Sequence, residues 1–147
     1  MAAIMVDTDV YSYITSGNPD RGVPYKKHLD GHTITLSFIT VGEQYAGYKK
    51  KITKGEWPAV RIQKLEAGLK AVAILPYDIE VCRTFGELKA QLELVGDSVH
   101  TNDLWIAACA KRHSLKLVTN NRKDFEKIPG LDIISEAPAA SGKKPGS

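Results

Sequence analysis

Three acids stand just after a strand-like run or at the start of a helical pattern: Asp7 in "MVDTDV", Glu43 in "SFITVGE" and Asp103 in "HTNDLWIAACA". Each has an ordinary local explanation. Asp9 can cap a helix beginning at Val10 while Asp7 forms an Asx-turn. Thr40 and Glu43 have the T-x-x-E spacing of a capping box. Thr101 can cap a helix whose positive end favours Asp103. Taken together, the three acids support a different chemistry. Two carboxylates about 4 Å apart repel by roughly 4 kcal/mol at an effective dielectric near 20, so a converging set needs a proton or a counter-charge. No Lys or Arg adjoins Asp7 or Asp103 in sequence, and a hard divalent cation, Mg²⁺ or Mn²⁺, suits carboxylate oxygens. An ion so held can activate water and clamp a scissile phosphate.

Convergence requires a scaffold, and the chain reads as alternating strands and helices. "AAIMV" is a short buried strand, "VYSYIT" a helix closed by the turn-forming "SGNPDRG", and "YKKHLD" a polar helical segment. "TITLSFI" is a β-branched strand, followed by a helix through "TVGEQYAGYKKKITKGEW" whose far end is basic. Pro58 suits the first turn of "PAVRIQKLEAGL", with Gly68 near its C-cap, and "AVAIL" is a third strand. From Ile79 to Leu94 the apolar residues Ile79, Cys82, Phe85, Leu88 and Leu92, continued by Val95, recur at helical spacing. "NDLWIAACAKRHSL" is apolar all round in its middle and so belongs in the core. "KLVT", "RKDFEKI" and "LDIIS" complete the pattern as strand, short helix and edge strand. The expected class is α/β, a mainly parallel central sheet with helices on both faces. Such sheets place their sites beyond the carboxyl ends of the strands, which is where the acids fall. Burial of "LWIAACA" would hold Asp103 at a fixed depth among those ends.

With 147 residues, 43% of them hydrophobic, the chain suits one packed domain. Residues 1–136 are read as that domain. Residues 137–147, rich in Ala, Pro, Gly, Ser and Lys, are read as a disordered tail. A net charge of +3 permits a polyanionic partner without requiring one. Cys82 and Cys109 lie in apolar patterns without close Cys or His partners, so they are expected to be reduced core thiols. Neither a signal peptide nor a membrane-length apolar run is evident, and a cytoplasmic location is the default expectation. The four histidines show no metal-ligand spacing.

These motifs resemble those of the PIN-domain ribonucleases, most closely the VapC toxins of toxin–antitoxin pairs, and the likeness covers nearly all of residues 1–136. "MVDTDV" is similar to the family's opening "LDTNV", and "SFITVGE" to its S-x-x-T-x-x-E segment. "NDLWIAACAKRHSLKLVTNNRKDFEKIPGLDI" is similar to its C-terminal signature. The resemblance implies a single PIN-like domain in which Asp7, Glu43 and Asp103 are the metal-binding and catalytic acids. The fourth family position, often Asp, is Asn121 here, and the nearest carboxylate is Asp124. Either is a candidate ligand. Asn121 brings no charge, which leaves a one-metal mechanism open. The resemblance further implies an RNA phosphodiester substrate hydrolysed by metal-activated water, a cognate VapB-like antitoxin covering the acids, and a homodimer. Lys49, Lys50, Lys51, Lys54 and Arg61 are candidate RNA contacts, against the plainer reading of a solvated basic face.

Three alternatives stand beside this reading. "DTDV" also fits a haloacid-dehalogenase-type phosphatase, with Asp7 as nucleophile and Asp9 as general acid, although Glu43 would then have no task. A phosphoacceptor receiver would need an acceptor after the third strand, where only Asp78 stands behind a proline. A PIN-like module that binds RNA without cutting it is the third.

Overall fold

The computed structural model describes residues 2–15 and 18–138. The chain runs β1 (Ala2–Val6), α1 (Thr8–Thr15), α2 (Pro19–Leu29), β2 (His32–Ser37) and α3 (Phe38–Thr53). A short 3-10 turn (Ala59–Arg61) leads into α4 (Ile62–Leu69) and β3 (Ala73–Leu75). It continues through α5 (Ile79–Leu94), α6 (Thr101–Arg112), β4 (Leu117–Val118), α7 (Arg122–Phe125) and β5 (Ile133–Ile134). The five strands are all parallel, in the order β3-β2-β1-β4-β5.

The pleat of β1 explains the two-sided core. Successive side chains of a strand point to opposite faces, so Ile4 and Val6 join Val10, Tyr11, Tyr25 and Leu36 on one side of the sheet. Met5 points the other way, into Leu88, Leu92, Ile106, Ala107 and Phe125. β4 repeats the division, with Val118 on the first side and Leu117 on the second. Both faces being covered, β1 and β4 carry unbroken apolar runs, as strands of parallel sheets do. The middle of α6 is sealed on all sides: Leu104 and Ile106–Ala110 are at most 2% exposed. "LWIAACA" therefore has no polar face because no part of it except Trp105 meets water.

Chain order runs outward from β1 to β2 and β3, then crosses back to place β4 against the opposite edge of β1. That reversal opens a crevice between the carboxyl ends of β1 and β4, the position where doubly wound sheets bind ligands. The register is set by Met5 opposite Leu117 and Val6 opposite Val118, and the Asp7 amide extends it by donating to Val118 O at 2.9 Å.

Several local expectations are corrected. "TITLSFI" stops as a strand at Ser37, because Ser37 caps α3 by accepting the Thr40 amide at 3.1 Å. Within "SGNPDRG", residues 16 and 17 lie outside the described residues, while Asn18 caps α2 and Pro19 occupies its first turn, a position proline suits. The buried side of α5 is Val81, Leu88 and Leu92. Ile79 and Val95 are 71% and 76% exposed, and Cys82 is an exposed free thiol whereas Cys109 is buried. Of the expected tail, residues 139–147 lie outside the described residues. Ala137 is tied to the domain, its carbonyl accepting from Arg122 Nε at 3.0 Å.

Candidate active site

Asp7 follows β1 directly and is 4% exposed. Its Oδ1 accepts the Thr8 amide at 2.7 Å and its Oδ2 the Thr119 hydroxyl at 2.7 Å. Burial, and after it the charge of Asp9, push its carboxyl up to about 8. The bonds from Thr119 and Thr8 pull the other way, and Asp103 adds a smaller upward push. Asp9, on the first turn of α1, accepts the Val10 amide at 2.6 Å and the Asn120 amide at 3.2 Å. Its carboxyl is also raised, again chiefly by burial. The two acids are thus held by backbone and hydroxyl donors that, among the described residues, no cationic side chain supplements.

Glu43 reaches the same place from α3. The Thr8 hydroxyl donates to its Oε1 at 2.5 Å and Asn102 Nδ2 to its Oε2 at 3.1 Å. The capping-box reading of Thr40 and Glu43 is therefore wrong: Ser37 is the cap, and Glu43 turns across the crevice toward α1 and α6. Thr40 is fully buried, its hydroxyl between those of Ser37, at 3.3 Å, and Thr8, at 3.1 Å.

Asp103 enters from the first turn of α6. The cap there is His100, whose Nδ1 accepts the Asn102 amide at 3.3 Å, rather than Thr101. Burial first, then Asp124 and Glu43, raise the Asp103 carboxyl to about 6, while His100 works in the opposite direction. Asn121 Nδ2 donates to Asp103 Oδ2 and to Asp124 Oδ2, both at 3.1 Å. Its Oδ1 accepts the Asp124 amide at 3.4 Å. A carboxylate can only accept, so the amide's donor end must face the two acids. Asn121 is a clip between Asp103 and Asp124, with its oxygen committed to the α7 cap.

Asp7, Thr8, Asp9, Glu43, Asp103 and Asn121 line one hollow of about 290 Å³. Residues far apart along the chain thus meet at the switch crevice. Asp124 stands outside that lining and is 3.8 Å from the Lys127 ammonium. Among the described residues no three acidic, histidine or cysteine side chains are arranged to hold a metal ion, and Glu43 and Asp103 are turned onto the amides of Asn102 and Asn121. The donor set still fits a hard divalent cation: four carboxylates, three of them with raised proton affinity, and, among the described residues, no Lys or Arg lining the hollow. Sequence reasoning gave Asp9 a site role only in the phosphatase alternative, and none to Thr8, Asn102, Thr119 or Asn120. "DTDV" was the available signal for Asp9.

The expected basic contacts separate. Lys51 and Arg61 both pack on Trp57, their charged groups 4.8 Å and 4.1 Å from its ring centroid. Lys49, Lys50 and Lys54 are exposed on α3 and at its C-cap, away from the acid hollow. Trp105 stacks on Phe85 at 3.7 Å and packs against the core. Asp78, the receiver-type acceptor candidate, is the α5 cap and accepts the Val81 amide at 2.9 Å. Glu43 in the hollow is the residue for which the phosphatase reading had no role.

The PIN domain family model matches residues 4–131. Ribonuclease VapC2 of Haemophilus influenzae is 32% identical over 131 residues, 89% of this chain and 96% of the relative. The tRNA(fMet)-specific endonuclease VapC of Salmonella typhimurium is 28% identical over 90% of this chain and 97% of its own. Among solved structures, DNA-bound VapBC from Salmonella typhimurium superposes with a TM-score of 0.78 at 27% identity, covering 92% of this chain and 98% of the other. VapBC2 from Rickettsia felis, bound to a promoter DNA fragment, gives 0.75 at 30% identity over 90% and 98%. The chain belongs to the PIN-domain family, and within it to the VapC group.

Proposed function

We propose that the chain is a divalent-metal-dependent endoribonuclease, the toxin component of a toxin–antitoxin pair. The observation that carries this reading is the meeting of Asp7, Asp9, Glu43 and Asp103 in one hollow at the β1/β4 switch. The ribonuclease names of its relatives and their occurrence in VapBC complexes support it.

Asp7 and Asp103, with Glu43 and Asp9, would hold Mg²⁺ or Mn²⁺. When bound, the ion supplies Lewis acidity toward a phosphoryl oxygen and an acidified water. The protein's own contribution is positional. Thr119 and the Thr8 amide fix both oxygens of Asp7. Thr8 and Asn102 fix those of Glu43, and the rigid α6 core sets the depth of Asp103. Asn121 restrains Asp103 by a neutral clip, so this chain uses an amide where an acid would add charge, a pattern compatible with a single ion.

Lys51, which lines the hollow beside the acids, is the basic residue best placed for RNA. A VapB-like antitoxin and a second copy of the chain are the expected partners. The exposed apolar side chains of Ile79, Leu94 and Val95 offer surface of the kind self-association covers. Among the described residues no helix is long and apolar enough to cross a membrane, and the proposed location is the cytoplasm.

The test is cleavage-site mapping on total RNA with the folded wild-type chain and Asp7→Asn, with and without Mn²⁺. Metal-dependent cuts made by the wild type and lost in the variant are the expected result. Equal cleavage by both, or none by a metal-supplemented wild type, overturns the assignment.

A further inference from the structure

A second hollow, of about 440 Å³, opens beside the acids and shares Thr8 and Glu43 with them. It runs along α3 between a polar wall, where Gln44 Nε2 donates to Ser12 Oγ at 2.8 Å, and an aromatic wall, Tyr48 and Trp57. Tyr48 meets Trp57 edge-on with ring centroids 4.9 Å apart. Lys51 and Arg61 lie against the indole, and Arg61 Nε is buried without a hydrogen-bond partner. The volume falls in the range of roughly 300–1,000 Å³ typical of sites for small organic groups.

The floor of this hollow is Gly47. Glu43, Gly47 and Lys51 are spaced four residues apart and so share one face of α3, about 12 Å from first to last at the helical rise. A Cβ added to Gly47 would meet nothing within 4 Å, so no neighbour within the fold requires glycine there. In a helix interior glycine costs about 1 kcal/mol relative to alanine. Gly42 on the same helix is equally unobstructed but lies outside the hollow. What sets Gly47 apart is its place between an acid of the candidate site and a lysine braced by an aromatic ring.

We infer that this hollow is the subsite for the single-stranded nucleotide flanking the cleaved phosphodiester, its sugar and base lying over Gly47 and its phosphate reaching Lys51. The inference rests on the ribonuclease reading and adds the direction in which the strand leaves the acids, along α3 toward Trp57. Cation–π contact with Trp57 keeps the Lys51 ammonium beside the groove. The anionic backbone supplies a counter-charge for Lys51, the basic residue of the lining. A nucleotide's planar base has the Tyr48–Trp57 wall at its side, as single-strand binding surfaces commonly provide.

The experiment uses the full chain carrying Asp103→Asn, so that RNA is bound and not cut, with Gly47→Leu or Lys51→Gln added. A short fluorescein-labelled single-stranded oligoribonucleotide of mixed sequence is the probe, read by anisotropy across a salt series. Gly47→Leu should weaken binding by roughly tenfold or more by filling the floor, while the melting temperature holds or rises because leucine favours the helix. Lys51→Gln should weaken it less and lower the salt slope by about 1. Mn²⁺-induced stabilisation of the two single variants, with Asp103 intact, should match wild type. RNA affinity unchanged in both variants overturns the subsite and leaves a partner polypeptide as the candidate occupant, while cleavage by the wild type would keep the ribonuclease assignment standing. Absence of binding by the Asp103→Asn chain together with absence of cleavage by the wild type overturns both.

Discussion

Thr119 donates its hydroxyl to Asp7 Oδ2 at 2.7 Å, joining residues 112 positions apart across the β1/β4 crevice. Both are buried, and the bond favours the charged form of an acid whose carboxyl burial pushes up. Thr119→Val keeps the shape and removes the donor. The carboxyl of Asp7 should then titrate above its value of about 8, since the lost bond favoured the charged form. Divalent-ion affinity at neutral pH should fall, and the fold should lose about 1–3 kcal/mol for the unsatisfied acceptor. Carboxyl NMR titration of metal-free protein and calorimetric Mn²⁺ binding check the two parts.

Stability of the metal-free chain should decline with rising pH. Asp7 at about 8 and Asp103 at about 6 both lie above the ordinary 3.8, so between those limits the folded state binds more protons than the unfolded one. The slope of unfolding free energy against pH is therefore negative. The contribution is fully present below about pH 4 and is lost by about pH 8. Asp7→Asn, neutral at every pH, should flatten most of that loss and melt higher than wild type at pH 8. Added Mn²⁺ should reverse the trend for wild type, because ligands must be deprotonated to bind. A melting series across pH, with and without Mn²⁺, settles each sign.

Asn121→Asp replaces the clip by a third charge between Asp103 and Asp124. Without metal this should destabilise the chain by about 1–3 kcal/mol, more at low salt, where repulsion is less screened. With Mn²⁺ it should gain stability over wild type by offering the family's missing acid. Parallel melting curves at two salt concentrations test it, and a variant no less stable than wild type in the absence of metal would contradict the clip.

Ser37→Ala removes the α3 cap at the base of a hydroxyl series running Ser37, Thr40, Thr8, Glu43. The expected cost is about 1 kcal/mol of stability. A modest fall in kcat at nearly constant KM should accompany it, since Glu43 loses orientation while the groove is untouched. Steady-state cleavage of a defined RNA would reveal an unchanged kcat if Ser37 did nothing beyond capping.

Periodicity made much of this fold legible. The bounds of α5 and the edge position of β5 follow from apolar spacing, and the all-round apolar middle of α6 announced its burial. What spacing leaves open is which stripe faces inward. α5 has two overlapping ones, and its packing on α6 and the sheet selected Val81, Leu88 and Leu92 over Ile79, Cys82 and Val95. Caps were misplaced for a related reason. Ser37 precedes Thr40, and His100 precedes Thr101, but neither could be preferred without knowing where β2 and the preceding loop end. Of the site, Asp7, Glu43, Asp103 and Asn121 were readable from motif order and lie together in the hollow. Asp9 was legible only as a helix cap or under the rival phosphatase pattern, since its partner, the Asn120 amide, is 111 residues away.

Placing β1 in the middle of the sheet has a consequence for synthesis. During synthesis β1 must wait for β4, more than a hundred residues later, before its second edge is paired and Asp7 meets Thr119. A product cut short before residue 117 would contain all four clustered acids, yet nothing to close the crevice over them. In such a product Asp7 would lack both its backbone bond to Val118 and its bond from the Thr119 hydroxyl, so the acids would be present without the wall that makes them one hollow.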